Sequence, residues 1–148
     1  MENQSQKKTA EALAEIYRNA QLALQSISNI LPQVDDEETK NQLLAQHEEY
    51  ERFSAKACVI AKNKNIELKE PNPLKKAMMW GSIKMNTLTD NSRSHIAEMM
   101  VQGTVMGITA LRSTASELAV DGDDEIIALL NEMIEMEETY EKKWKEYL

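Results

Sequence analysis

Two ionisable residues, His47 and Glu137, stand where helical spacing places core side chains. The second predicted helix has apolar or small residues in steps of three and four, in a stripe formed by Leu43, His47, Tyr50, Ser54, Ala57 and Ala61. The last helix has the same rhythm in Ile126, Leu130, Met133, Glu137, Tyr140, Trp144 and Tyr147. Stripes of this period pack inward, and a buried imidazole or carboxylate must be hydrogen-bonded, ion-paired or metal-bound. We therefore expect His47 and Glu137 to meet in the interior.

Three kinds of site are compatible with this pair. The preferred interpretation is structural, with the two side chains hydrogen-bonded to each other, to a tyrosine or to buried water. A metal site and a small-ligand pocket stay open as alternatives. The residues that we expect to line such a pocket are Tyr17, Tyr50, Gln102, Gly103 and Tyr140.

Two glycines lie one turn apart inside the third long helix, at Gly103 and Gly107. Each costs about 1 kcal/mol relative to alanine in a helix interior, so another interaction should offset that cost. Close helix packing, or room for large rings, is the favoured explanation. A cavity at the middle of the protein, where a ligand would meet His47 and Glu137, is the alternative.

The composition limits the class of protein. The chain has 148 residues with 42% hydrophobic and 28% charged side chains, which is typical of one globular domain. The net charge of −8 makes binding to nucleic acid or to an anionic membrane unfavourable. Cys58 is the sole cysteine, so no intramolecular disulfide or thiolate cluster can form, and we expect a buried thiol in a cytoplasmic protein. No phosphate-binding loop or nucleophile triad is present.

The pattern predicts helices and no strands. After a polar tail over 1–8, long helices are expected over about 9–31, 36–65, 92–120 and 124–148. Asp35 is the expected N-cap of the second helix, with Glu38 at its third position. Residues 66–91 form a long connection with a short helix over 74–89, although one continuous helix over 74–120 is an alternative. Two helical hairpins joined by a long crossover are typical of ferritin-like bundles.

The residues at the middle of these helices resemble a degenerate ferritin-like pattern. Ferritin-like carboxylate proteins carry Glu-x-x-His on the second and fourth helices. Here the second helix keeps only His47, in the run Leu44-Ala45-Gln46-His47, and the fourth keeps only Glu137, in Glu137-Glu138-Thr139-Tyr140. The stretch from His95 to Gly103 also resembles small bacterial ferritin-like proteins that are uncharacterised. The resemblance implies the fold, with too few ligands for two metal ions.

The sequence therefore predicts one all-α domain over 1–148, an antiparallel four-helix bundle of ferritin-like type with a fifth, short crossover helix. The preferred function is a non-enzymatic binding or structural protein without an intact di-metal site and without a cofactor. It is expected to be a homodimer, with Met79, Trp80 and Ile83 of the crossover at a possible interface. Two alternatives are an iron- or manganese-dependent oxidase or iron-handling protein with an atypical site, and a helix-binding adaptor that uses the crossover helix.

Overall fold

Four long helices and one 3-10 turn make up the regular structure of the described residues. The computed structural model describes residues 4–69, 90–118 and 123–148. The helices are α1 (Gln4–Ile30), α2 (Glu37–Asn63), α3 (Arg93–Leu118) and α4 (Asp124–Lys145), and the 3-10 turn is Leu31–Gln33. Within these ranges no strand occurs, which confirms the all-α prediction for this part of the chain.

The helix ends follow capping residues, with one correction. The N-cap of α2 is Asp36 rather than Asp35, because the Asp36 carboxylate accepts a hydrogen bond from the backbone N–H of Thr39 at 3.0 Å. The N-cap of α4 is Asp123, whose side chain accepts from the N–H of Glu125. Helix α1 begins at Gln4, so part of the predicted polar tail is helical.

Charged contacts at the two ends of the helices establish their directions. Arg93, the first residue of α3, donates two hydrogen bonds of 2.9 Å to the Asp36 carboxylate at the start of α2. Its guanidinium also lies 5.0 Å from the ring centre of Tyr147, just after α4. At the other end, Lys64 after α2 binds Asp123 before α4 at 2.9 Å. Helices α2 and α3 therefore begin at the same end.

This arrangement requires a long connection between α2 and α3. Helix α2 ends at one end of the molecule and α3 begins at the other, and a helix of this length spans about 40 Å. The end of α2 and the start of α3 therefore lie about that distance apart. The predicted short helix over 74–89 lies outside the described residues.

Helix α1 packs against α2 and α3, while α4 packs against α3 and, less extensively, against α2 and α1. The core between them is mainly aliphatic. Its largest fully buried side chains are Trp144, Tyr50, Phe53, Leu13, Ile16, Ile27, Leu43, Ile96, Leu111, Leu118, Ile126 and Leu130. No helix in the described part of the chain is long and apolar enough to cross a membrane.

The inward face of α3 differs from the predicted one. Met106 is 73% exposed, and Gly103, which we expected to line an interior pocket, is also exposed. Thr104, Ile108 and Leu111 are buried instead. The bulky Ile108 and Leu111 side chains determine which face packs, and they turn Met106 toward solvent. Cys58 is likewise exposed rather than buried.

Candidate functional site

The carboxyl group of Glu137 lies in the dry centre of the bundle. Glu137 is 1% exposed, and Tyr50 of α2 donates a hydrogen bond of 2.6 Å to its Oε2 atom. The Oε1 atom is buried and has no hydrogen-bond partner among the described residues. The inward position predicted for Glu137 and Tyr50 is therefore confirmed, and half of the carboxyl group lacks a partner.

A chain of neutral hydrogen-bonding groups continues from Tyr50 to the neighbouring helices. The Gln46 Nε2 atom donates to the Tyr50 hydroxyl at 3.2 Å and to Thr104 Oγ1 at 3.3 Å. The indole N–H of Trp144 donates to Gln46 Oε1 at 2.7 Å. We call Gln46, Tyr50, Thr104, Glu137 and Trp144 the core polar network. Its contacts join α2, α3 and α4.

Gly107 of α3 allows the Glu137 carboxyl group to come close to the helix backbone. A β-carbon at residue 107 would lie 2.6 Å from Oε2 and 3.1 Å from Oε1 of Glu137, closer than real side chains pack. On the α1 side, Asn19 donates a hydrogen bond of 3.1 Å to the Gly107 carbonyl oxygen. Close packing, which the sequence analysis favoured for both glycines, therefore occurs at Gly107 and does not occur at Gly103, where nothing described lies within 4 Å of a β-carbon.

Burial controls the ionisation of this site. Removal from water raises the pKa of Glu137 to about 8, although the hydrogen bond from Tyr50 acts in the opposite direction. The pKa of Tyr50 is raised well above its ordinary value by burial and, secondarily, by the nearby Glu137 charge. The groups that face Glu137 from the other helices are neutral: Asn19, Tyr50 and Gly107. At pH 7 the carboxyl group is therefore mainly protonated.

His47 is not in the core, so the predicted meeting with Glu137 is wrong. Its ring is half-buried at the surface, where Nδ1 lies 2.9 Å from Glu51 Oε1 and Nε2 lies 3.4 Å from Ser28 Oγ. The inward position of this turn belongs to Gln46, which is fully buried.

The other predicted pocket residues divide between core and surface. Tyr140 is buried and Tyr17 is half-buried against the core. Gln102 and Gly103 are exposed, and no described atom lies within 4 Å of a β-carbon built at Gly103. These two residues therefore do not line an interior pocket. The proposed interface residues Met79, Trp80 and Ile83 lie outside the described residues.

Sequence reasoning missed Gln46, Thr104 and Asn19. The sequence contains a rival stripe with the same period on the second helix, formed by Leu43, Gln46, Tyr50, Phe53, Ala57 and Ile60. This stripe has Phe53 and Ile60 where the predicted stripe had Ser54 and Ala61. A comparison of total apolar area would therefore have selected Gln46 over His47.

The residues around Glu137 do not fit a di-metal centre. Within residues 4–69, 90–118 and 123–148, no group of three or more histidine, cysteine, aspartate or glutamate side chains is placed to hold a metal ion. Tyr50, Trp144 and Gln46 all act as O–H or N–H hydrogen-bond donors within the core polar network. Metal ligands need unprotonated donor atoms, and a carboxyl group of raised pKa is a poor one.

Comparison with known proteins gives no relative to guide the assignment. No family model, no curated protein and no solved structure matches the chain.

Proposed function

We propose that this chain is a non-enzymatic binding or structural protein, an antiparallel bundle with ferritin-like connectivity whose centre holds a hydrogen-bond network in place of a di-metal site. The observation that carries the proposal is the buried Glu137 carboxyl group, which accepts a hydrogen bond from Tyr50 and faces neutral groups. Burial also raises its pKa. The parallel directions of α2 and α3, joined by one long connection, support the ferritin-like part.

The physical role proposed for the core polar network is to specify how the helices pack. Aliphatic side chains tolerate many packing arrangements, whereas a buried polar group is stable only where its partners are in place. Gln46 bonds to Thr104 of α3 and to Trp144 of α4, so sliding any of these helices would break contacts. The network therefore favours a single alignment of three helices.

The test is metal analysis of protein purified without chelator from cells grown with added iron and manganese. We expect far less than one metal ion per chain, and the same content in Glu137→Gln and His47→Ala variants. Stoichiometric iron or manganese that is lost in Glu137→Gln would overturn the proposal in favour of the metal-dependent oxidase. Loss in His47→Ala alone would also overturn it, because a site at the surface histidine would then bind the metal.

A second measurement tests the packing role directly. Removing the Gln46 side chain in Gln46→Ala should leave the Trp144 indole N–H and the Thr104 hydroxyl without their partner. We expect loss of about 2–4 kcal/mol of stability and broader side-chain NMR signals from α4. The control is Gln42→Ala, one turn earlier on α2. Sharp, unshifted spectra in Gln46→Ala would contradict the specificity role.

A further inference from the structure

A groove between α2 and α4 forms a concave surface on the described residues. It has a volume of about 550 Å³ and an apolar floor to which Val59, Ile60 and Leu129 contribute. Val59 is 59% exposed and adds open apolar surface to this groove. The groove is separate from the core polar network, and none of the residues that line it belongs to that network.

The charges on the two sides of this groove have opposite signs. Arg52 and Lys56 stand on the α2 side, and Glu125 and Glu132 stand on the α4 side. Lys56 and Glu132 face each other across the groove at 3.4 Å, and both are about half exposed. The groove is therefore locally neutral although the chain carries a net charge of −8. Two copies of an acidic chain repel each other least where such neutral surfaces meet.

We propose that a second copy of this chain docks in the α2–α4 groove, related to the first by a two-fold axis parallel to the helices. This axis brings the basic α2 side of one copy against the acidic α4 side of the other, twice. A two-fold axis across the helices would place like charges together. A rotation about an axis parallel to the helices does not shift any residue along the helix direction. Lys56 of each copy therefore meets Glu132 of the other copy, and the Val59 side chains become covered.

This inference goes beyond the proposed function, because metal content and core packing do not depend on the groove. Sedimentation equilibrium of the full chain, at up to roughly 100 µM, will detect a dimer of micromolar Kd. We expect wild type to dimerise and Val59→Glu to weaken association at least about tenfold. The matched control is Leu44→Glu, since Leu44 is 51% exposed on the same helix and outside the groove. Far-UV circular dichroism checks that both variants remain folded.

Charge reversal tests the orientation of the two copies. Lys56→Glu alone and Glu132→Lys alone should each be monomeric, because each places like charges in both contacts. An equimolar mixture of the two variants should form a heterodimer, since both contacts then pair opposite charges. The ion pair within one chain cannot explain such rescue, because it stays broken in each component of the mixture.

Four results would overturn the proposal. A monomeric wild type would remove the second copy as the occupant, and a dimer unaffected by Val59→Glu would place the interface elsewhere. Equal weakening by Leu44→Glu would mean that any added charge disrupts association. If the single charge reversals are monomeric and their mixture does not associate, the proposed two-fold axis is wrong.

Discussion

Replacing Glu137 with glutamine should remove most of the dependence of stability on pH between about 5 and 8. The pKa of this carboxyl group is about 8 in the folded protein, above its ordinary value of 4.5, which applies to the unfolded chain. Between these values the unfolded chain releases the proton while the folded chain keeps it. Unfolding is then favoured as pH rises, so the contribution of Glu137 to stability is fully present below pH 4.5, falls through this window and is lost above pH 8. Glutamine keeps the shape and is uncharged throughout.

The size of the effect follows from the difference between the two pKa values. One pKa unit corresponds to about 1.4 kcal/mol, so the shift of Glu137 amounts to about 5 kcal/mol as an upper figure. Urea unfolding at pH 5, 6, 7 and 8, followed by circular dichroism, gives the free energy of unfolding at each pH. We expect the free energy of unfolding of Glu137→Gln to increase relative to that of wild type by up to about 1.4 kcal/mol for each unit that the pH rises.

Two features make this measurement specific. Glu135→Gln is the matched control, because Glu135 lies two residues earlier on α4 and is exposed. The Asp36 carboxyl group has its pKa held well below the ordinary value, first by the hydrogen bond from Arg93, so its contribution to stability is lost only at pH values below this window. Parallel stability curves for wild type and Glu137→Gln would refute a protonated Glu137 in the core.

Three further substitutions test the surroundings of Glu137. Gly107→Ala should destabilise the protein by about 1–2 kcal/mol in thermal or urea unfolding, because the new β-carbon would lie 2.6 Å from a carboxyl oxygen that Tyr50 holds in place. Gly103→Ala should instead stabilise the protein by roughly 0.5–1 kcal/mol, because the space around Gly103 is open. Similar effects at both glycines would contradict the close contact between Gly107 and Glu137. Tyr50→Phe should lower stability by about 1–3 kcal/mol. It should also raise the pKa of Glu137 further, because the hydrogen bond that is lost favours the ionised form. An unchanged upper midpoint of the stability–pH curve would exclude the hydrogen bond between Tyr50 and Glu137.

The sequence predicted the helices well because their ends are marked by local chemistry. Pro32 closes the first helix region, and Asp123 caps the last helix. The one-residue difference at the start of α2 has a non-local cause. Asp35 and Asp36 are equivalent in a local pattern, but Arg93 from α3 binds the carboxylate of Asp36. Contacts between distant segments cannot be read from a capping motif.

Only part of the candidate site could be predicted, because some of its residues are determined by contacts between helices. Helical periodicity identified Tyr50 and Glu137, which belong to the observed inward faces of α2 and α4. Helical periodicity failed at His47. The residue three positions after Leu43 is Gln46 and the residue four positions after it is His47, and both spacings are compatible with one inward face. Packing of Phe53 decided between them, and this residue is fully buried. The contact between Gly107 and Glu137 joins two helices, so no spacing within one helix predicts it.

The close fit between Gly107 and Glu137 makes these two positions interdependent in the history of the chain. A larger residue at 107 is acceptable only where the side chain at 137 has become shorter, and a descendant that lost the acid would no longer need the glycine. Among sequences that share this ancestry, a larger residue at 107 should therefore occur only where the side chain at 137 is shorter. A larger residue at 107 together with glutamate at 137 would indicate that α3 and α4 pack differently in that protein.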